Sequence, residues 1–414
     1  MNKKIDLTMM GKNILPYGYL IITVVALIVM VAYSGKRLVY DESSYMSLIP
    51  LLKIHGLTRE FFYNMPVSAG PLFAFIHLIF SSLTLLAAPA IRFVSILFLI
   101  LTIMGLAGLL GLLKYSAPLK RAALLMSFPT VYVVSGMALT DSYSLTFCTI
   151  ALMFTISAFQ QIRLKGWIFT ILAGIFWALT LLGRQSYIPA LLAVSVFLIY
   201  ERKLWPKVTS ILLMGILPIG ILFNIWGGLL PPQAVWSTRG FAPKHFILAL
   251  AYAGLLFLIL SPQWLFSMRK KRIFFIAVGG FILNCVMQII YIVPMYELVS
   301  GVFKNQIIVW LYGYITSAVF MGLALVTLCS FLQKAWERRK EKFYLYSIFA
   351  VLAMLFSAGM VTVQFSSRYV ITVAPFLIIL ATPYIKYNGS LVFRVIGGAV
   401  LGLLCISAYL FPIF

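Results

Sequence analysis

Two adjacent carboxylates, Asp41 and Glu42, follow the first long apolar segment of a 414-residue chain that contains only nine acidic residues. In a chain that is 63% hydrophobic, a charge beside an apolar segment is costly unless water or a partner meets it. The pair runs on into Ser43, Ser44 and Tyr45, which reads as a reaction centre at an aqueous mouth. The same two residues would also suit a solvated helix start, because the first turn of a helix favours acids.

Three further places pair polar chemistry with apolar surroundings. Asp141 follows Thr140 at the start of an apolar run, either as a substrate-facing carboxylate or as the N-cap of the next helix. Arg184 and Gln185 lie between two apolar segments with almost no loop. Placing an arginine in hydrocarbon costs about 2.5 to 3.5 kcal/mol on insertion scales, so Arg184 lines a polar cavity or pairs with Asp141. Arg368, in Gln364-Phe365-Ser366-Ser367-Arg368-Tyr369, stands just before an apolar segment, as an anion ligand or a snorkelling anchor.

Residues 227–244 mix Gly227, Gly228, Pro231, Pro232, Trp236, Arg239 and Lys244, with His245 beside them. That mixture suits a gate over a lipid-linked ligand as well as it suits a plain connection. His55 and His77 have no partners at metal-ligand spacing and read as satisfied or interfacial histidines. The four cysteines, Cys148, Cys285, Cys329 and Cys405, fall in or at the ends of apolar segments and read as small buried hydrophobes. Asn388-Gly389-Ser390 fits a glycosylation acceptor but falls on the side expected to be cytoplasmic.

The elements that must position these residues are membrane spans. Mean hydropathy is +1.05, and long apolar runs alternate with short basic clusters, so residues 1–414 read as one integral-membrane domain. The formal net charge of +23 comes from Lys and Arg placed between spans, where the positive-inside rule puts them, and this argues against nucleic acid as a partner. Lys3, Lys4 and Lys12 place the N-terminus in the cytoplasm, and Leu15 to Ser34 reads as a retained first helix rather than a cleaved signal peptide.

The parity of the basic clusters decides the first loop. If Gly70 to Leu86 crossed the membrane, Arg269 to Arg272 and Arg338 to Lys340 would lie outside, against the rule. We therefore expect an all-α polytopic bundle of thirteen spans: 15–34, 91–113, 119–137, 142–160, 167–182, 187–200, 208–226, 245–266, 273–293, 305–329, 343–363, 369–385 and 391–413. Residues 35–90 then form a first extracytoplasmic loop with interfacial helices, and 227–244 form a second outer loop. Asp41, Glu42, Asp141, Arg184, Arg239, Lys304 and Arg368 all fall on the outer face. Cations left there against the rule point to an anionic lipid phosphate.

These residues resemble the polytopic GT-C glycosyltransferases. The resemblance rests on Tyr40-Asp41-Glu42-Ser43-Ser44-Tyr45 after the first span, His55-Gly56, Gly70-Pro71-Leu72, Ile91-Arg92-Phe93, Thr140-Asp141-Ser142 and Gly183-Arg184-Gln185-Ser186. The group includes protein O-mannosyltransferases, bacterial aminoarabinose transferases and the enzyme that adds the terminal glucose to the lipid-linked oligosaccharide. The chain departs from it in having Gly70 where relatives often have proline, and in lacking the large extracytoplasmic C-terminal domain that some relatives carry.

The resemblance implies transfer of a sugar from a polyprenyl-phosphate donor to a glycan, lipid or protein acceptor on the outer face, usually with inversion. It implies Asp41 as general base and Glu42 as its orienting partner. Arg184, Gln185, Arg368, Lys304 and Arg239 would hold the donor phosphate, where an arginine fork can grip two oxygens. Asp141, Tyr45 and His245 would contact substrate. No metal site is assigned, and a divalent ion is left open. A bacterial plasma membrane is the expected setting. The alternative is a transporter or flippase for a lipid-linked anion, which would use the cations but has no need of an acid pair.

Overall fold

The computed structural model describes residues 7–234, 240–291, 299–300, 303 and 305–411, with side chains from residue 17 onward. The described residues are helical, with no strand, as a chain in lipid requires: every backbone N–H and C=O must be satisfied within the segment. The chain is an all-α bundle of membrane helices. Nine helices among the described residues are long and apolar enough to cross a bilayer, and Tyr17–Ala32 and Gln185–Tyr200 are shorter apolar helices. The two other expected spans, 119–137 and 273–293, fall on a broken segment and on a helix that opens with Lys270, Lys271 and Arg272.

The chain divides into two compact units, residues 1–235 with 387–414, and residues 236–386. The first begins with α1 (Leu7–Ala32). Four short helices and a turn follow in the first loop: α2 (Glu42–Met46), α3 (Leu48–His55), α4 (Arg59–Tyr63), α5 (Leu72–Ile79) and α6 (Ser81–Thr84). Then come α7 (Ala90–Leu112), α8 (Pro118–Ala122), α9 (Pro129–Gly136), α10 (Thr140–Gln160) and α11 (Arg163–Gly183). The unit continues through α12 (Ile188–Leu192), α13 (Phe197–Tyr200) and α14 (Trp205–Trp226), and is completed by the Gly389–Leu410 helix.

The eight residues of α5 extend only roughly 12 Å at 1.5 Å per residue, and α6 adds a single turn, so 70–86 is too short and too broken to span. Ile54, Ile79 and Leu83 on these loop helices, with Leu57 and Leu85 beside them, are exposed, the apolar face an interfacial segment turns toward lipid.

Neighbour pairs fix the direction of each helix. Ser95 meets Tyr143 at 3.1 Å and Thr102 meets Thr146 at 2.7 Å, so residue numbers rise together along α7 and α10 and the two run parallel. Parallel neighbours require the chain to return between them, and 113–139 makes that return. It does so as a broken segment, because Pro129 has no N–H and forces Phe128 out of the helical region, to φ −90° and ψ 115°. Likewise Gly166 faces Lys207, Gly174 faces Met214 and Gly215 faces Trp177. α11 and α14 are therefore parallel too, with Gln185–Tyr200 as the return. At the end of the bundle away from Asp41, Lys207 Nζ donates to the Ala158 and Gln161 carbonyls at 2.6 and 2.8 Å, closing the C-terminus of α10.

In the second unit, α15 (Pro243–Leu260), α16 (Pro262–Leu265) and α17 (Lys270–Met287) precede the 32-residue Gln306–Glu337 helix. Its packing is aromatic. Phe257 stacks on Trp264 with ring centroids 3.8 Å apart, and Trp264 Nε1 donates to the Tyr344 hydroxyl at 2.7 Å.

These directions predict an accessibility pattern. With the native cysteines removed, single cysteines at the exposed positions Ser116 and Lys165 will react with an impermeant maleimide from one side of the membrane, and a cysteine at exposed Leu57 from the other. Labelling of Ser116 and Leu57 from the same side would refute the fold as described.

Candidate active site

Asp41 and Glu42 are adjacent in sequence but their carboxylates have different surroundings. Glu42 is fully buried. Arg92 Nε donates to its Oε1 at 2.8 Å and Arg92 Nη2 to its Oε2 at 2.7 Å, a two-pronged clamp from the first turn of α7. The backbone N–H of Ala138 reaches Oε1 and that of Val39 reaches Oε2, both at 2.8 Å. A carboxylate offers about four acceptor positions, so Glu42 is saturated.

Arg92, only 1% exposed, spends its remaining donors on the same loop. Its Nη1 reaches Ser34 Oγ at 2.7 Å and the Gly35 carbonyl at 3.2 Å, and its Nη2 the Arg37 carbonyl at 2.7 Å. The ends of α1 and α9 and the starts of α2, α7 and α10 meet at this pair.

Asp41 immediately precedes α2, half-buried, and its side chain does not cap the helix. Tyr40 before it has φ +52°, a left-handed conformation that a tyrosine holds only under constraint. The constraints on either side are the Val39 bond to Glu42 and the ring of Tyr409, which packs edge-on against Tyr40 at 5.4 Å. Tyr45 turns inward, stacked on Phe73 at 5.3 Å and 4% exposed.

Asp141 sits in the first turn of α10, whose N-cap is Leu139. Arg184, just past α11, donates to Asp141 Oδ2 at 2.6 Å, with Asp141 2% and Arg184 13% exposed. Asp141, expected to contact substrate, and Arg184, expected to hold the donor phosphate or to pair with Asp141, are thus paired with each other. Gln185 Nε2 donates to the Ser68 carbonyl at 3.1 Å. The first loop and the end of α11 are closely apposed here: a Cβ on Gly70 would overlap the Leu182 carbonyl oxygen, and one on Gly183 would overlap Ser144 Oγ. Gly70 therefore stands where a proline ring would collide with backbone.

The second unit carries the other expected residues. Arg368 is 8% exposed in a 3₁₀ segment, with its guanidinium 5.7 Å from the Tyr369 ring centroid. His245, 3% exposed, bonds through Nδ1 to the Val361 carbonyl. Arg239 and Lys304 lie outside the described residues.

A buried polar group lies beneath the loop. His77, on α5, is fully buried, and its Nε2 lies 2.7 Å from the Tyr143 hydroxyl, which in turn meets Ser95 at 3.1 Å. Phe73 packs on the imidazole at 4.2 Å. Burial lowers the His77 pKa from 6.5 to about 4, so the ring is neutral at physiological pH.

Among the described residues no three His, Cys, Asp or Glu side chains gather as metal ligands. Glu42 does not fit that role in any case, because its acceptor positions are filled and a guanidinium is already beside it.

Residues 68–226 match the family described as dolichyl-phosphate-mannose-protein mannosyltransferase. The match takes in Gly70, His77, Arg92, Tyr143 and the Asp141–Arg184 pair, and stops short of Asp41 and Glu42. That match covers less than half of the chain, and it supports reading the matched part as a membrane glycosyltransferase of the GT-C type.

No curated protein matches the sequence. Among solved structures, the crystal structure of ArnT from Cupriavidus metallidurans in the apo state is similar at TM-score 0.42 and 12% identity, over 95% of this chain and 77% of that one. The Archaeoglobus fulgidus oligosaccharyltransferase, tethered to an acceptor peptide containing the NVT sequon, is similar at TM-score 0.33 and 14% identity, over 88% and 55%. At these values neither likeness carries a conclusion about this chain.

Two expected outcomes follow from the geometry. Removing one member of a buried ion pair strands the other charge, so Arg92→Met will destabilise the protein by about 3 to 5 kcal/mol. The Glu42→Gln, Arg92→Met double variant will recover part of that loss, and strictly additive melting-temperature losses would refute the coupling.

The second outcome concerns His77. As pH falls below 6.5 the unfolded chain takes up a proton that the folded chain refuses until about pH 4. This contribution to stability is full above pH 6.5 and is lost between 6.5 and 4, with a slope of up to about 1.4 kcal/mol per pH unit. Melting of detergent-solubilised protein across that range will fall more steeply for wild type than for His77→Gln, and equal slopes would remove His77 from the account.

Proposed function

We propose that this glycosyltransferase moves a sugar from a polyprenyl-phosphate donor to a hydroxyl of a glycan, lipid or protein acceptor at the outer membrane surface, with inversion at the anomeric carbon. The observation that carries this reading is the unequal treatment of the two adjacent acids. Glu42 is clamped and saturated, whereas Asp41 is held half-exposed on a strained turn at the same end of the bundle as the Asp141–Arg184 pair.

Asp41 is then the general base. As the acceptor oxygen attacks the anomeric carbon, its proton passes to the Asp41 carboxylate, the bond from the sugar to the phosphate oxygen breaks, and the electron pair leaves on the lipid phosphate. That phosphate is a competent leaving group, so the protein has only to hold its charge. Arg184 is proposed to do this within the first unit, where it can keep one donor on Asp141 and turn others to phosphate oxygens. Gln185 supports the loop beneath it through Ser68. Arg368, Arg239, Lys304 and His245 remain proposals on side-chain chemistry alone. The orientation proposed is N-terminus in the cytoplasm and site outside, on the positive-inside rule, in a bacterial plasma membrane.

The test is release of polyprenyl phosphate when the purified protein is given a panel of polyprenyl-phosphate sugars. The Asp41→Asn variant will fold, will bind donor and will lose about 10² to 10⁴ in turnover. Near wild-type turnover in that variant removes Asp41 as base. Movement of intact donor across the bilayer with no release would favour the flippase reading instead.

A further inference from the structure

The basic end of the second unit carries a site that sugar transfer does not use. An open cavity of about 540 Å³ is lined by Arg269, Lys271, Arg272, Phe275 and Ile276 at the start of α17. Arg269 through Arg272 are all exposed, and among the described residues none of them pairs with a carboxylate. The described acids of this unit are committed elsewhere, Glu337 to Lys334 at 2.7 Å and Glu341 to Arg338 at 2.8 Å. The positive charge is therefore not neutralised by any carboxylate among the described residues. Phe275, 70% exposed, and Phe274, 63% exposed, continue from these cations along α17, so the cavity passes from a cationic rim to an apolar wall on α17.

We propose that this cavity binds the phosphate-bearing headgroup of an anionic membrane lipid, with Arg269, Lys271 and Arg272 on the phosphate and Phe275 with Ile276 against the upper acyl chain. A free phosphate would meet the same cations, and the apolar wall is what distinguishes the lipid. Two arginines offer forked donors that a single phosphate can share, and a headgroup at the interface loses little hydration in reaching them. The site is independent of Asp41 and of the transfer reaction. Under the proposed orientation it faces the cytoplasmic leaflet.

The test uses the purified full chain in dodecyl maltoside. Melting temperature is read with added phosphatidylglycerol, with phosphatidylcholine, and with millimolar inorganic phosphate, and retained lipid is counted by native mass spectrometry. A ligand that binds only the folded state raises the melting point by mass action. Phosphatidylglycerol is expected to raise it and the other two to leave it near the lipid-free value. Arg269→Gln with Arg272→Gln is expected to lose at least half of the rise and half of the retained phosphatidylglycerol, with lipid-free melting unchanged.

An equal rise with phosphatidylcholine, or an undiminished rise in the double variant, overturns the proposal. A full rise with inorganic phosphate makes the site one for a soluble anion and overturns the lipid assignment. If the double variant melts early without lipid, the single Lys271→Gln variant and its retained phosphatidylglycerol decide the same question by the same criterion.

Discussion

The Glu42–Arg92 pair is the interaction on which the functional end of this protein depends. Two fully buried opposite charges are tolerated only when geometry and additional hydrogen bonds repay their desolvation, and here nearly every donor and acceptor position is used. The pair gathers the end of α1, the loop after it, the start of α7 and the backbone just before α10. All of these contacts are internal to the chain. Their product is a fixed backbone at residues 34–42, and with it a fixed place for Asp41.

A second layer surrounds that anchor. The Asp141–Arg184 pair joins the start of α10 to the end of α11, and the contacts of Gly70 and Gln185 bring the first loop onto the same spot. His77 and Tyr143 tie α5 to α10 beneath it. A loop of short helices would be mobile if left on the surface. Here it is bound to the bundle by buried polar contacts, each of which needs its partner because an unpaired group away from water is costly.

Much of this was legible in the residues. Apolar run lengths and basic clusters indicate the membrane class and the direction of most helices, because both follow from the physics of a slab of hydrocarbon. The failure of 70–86 to span was legible from charge parity alone. What parity could not show is that 118–136 is broken at Phe128–Pro129, which apolar composition hides although Pro129 marks it. The prominence of Asp41 and Glu42 was visible from the scarcity of acids, but the difference between their surroundings was not, since it depends on Arg92, fifty residues away. A signal existed: Arg92 is a lone cation in the first turn of a very apolar span, and such a residue needs a partner. His77 looked like an ordinary histidine because its partner hydroxyls, on α7 and α10, come together only by tertiary packing.

The Tyr40–Tyr409 contact has a consequence for biogenesis. The turn that holds Asp41 is synthesised among the first residues of the chain, yet one of the rings steadying it lies on the Gly389–Leu410 helix. During membrane insertion the helices enter in order, and the N-terminal loop waits through the synthesis of about 370 residues before that contact can form. The turn around Asp41 is thus completed only once residues 389–410 have been inserted, and until then a nascent chain carries its acid pair without the full set of constraints that hold it.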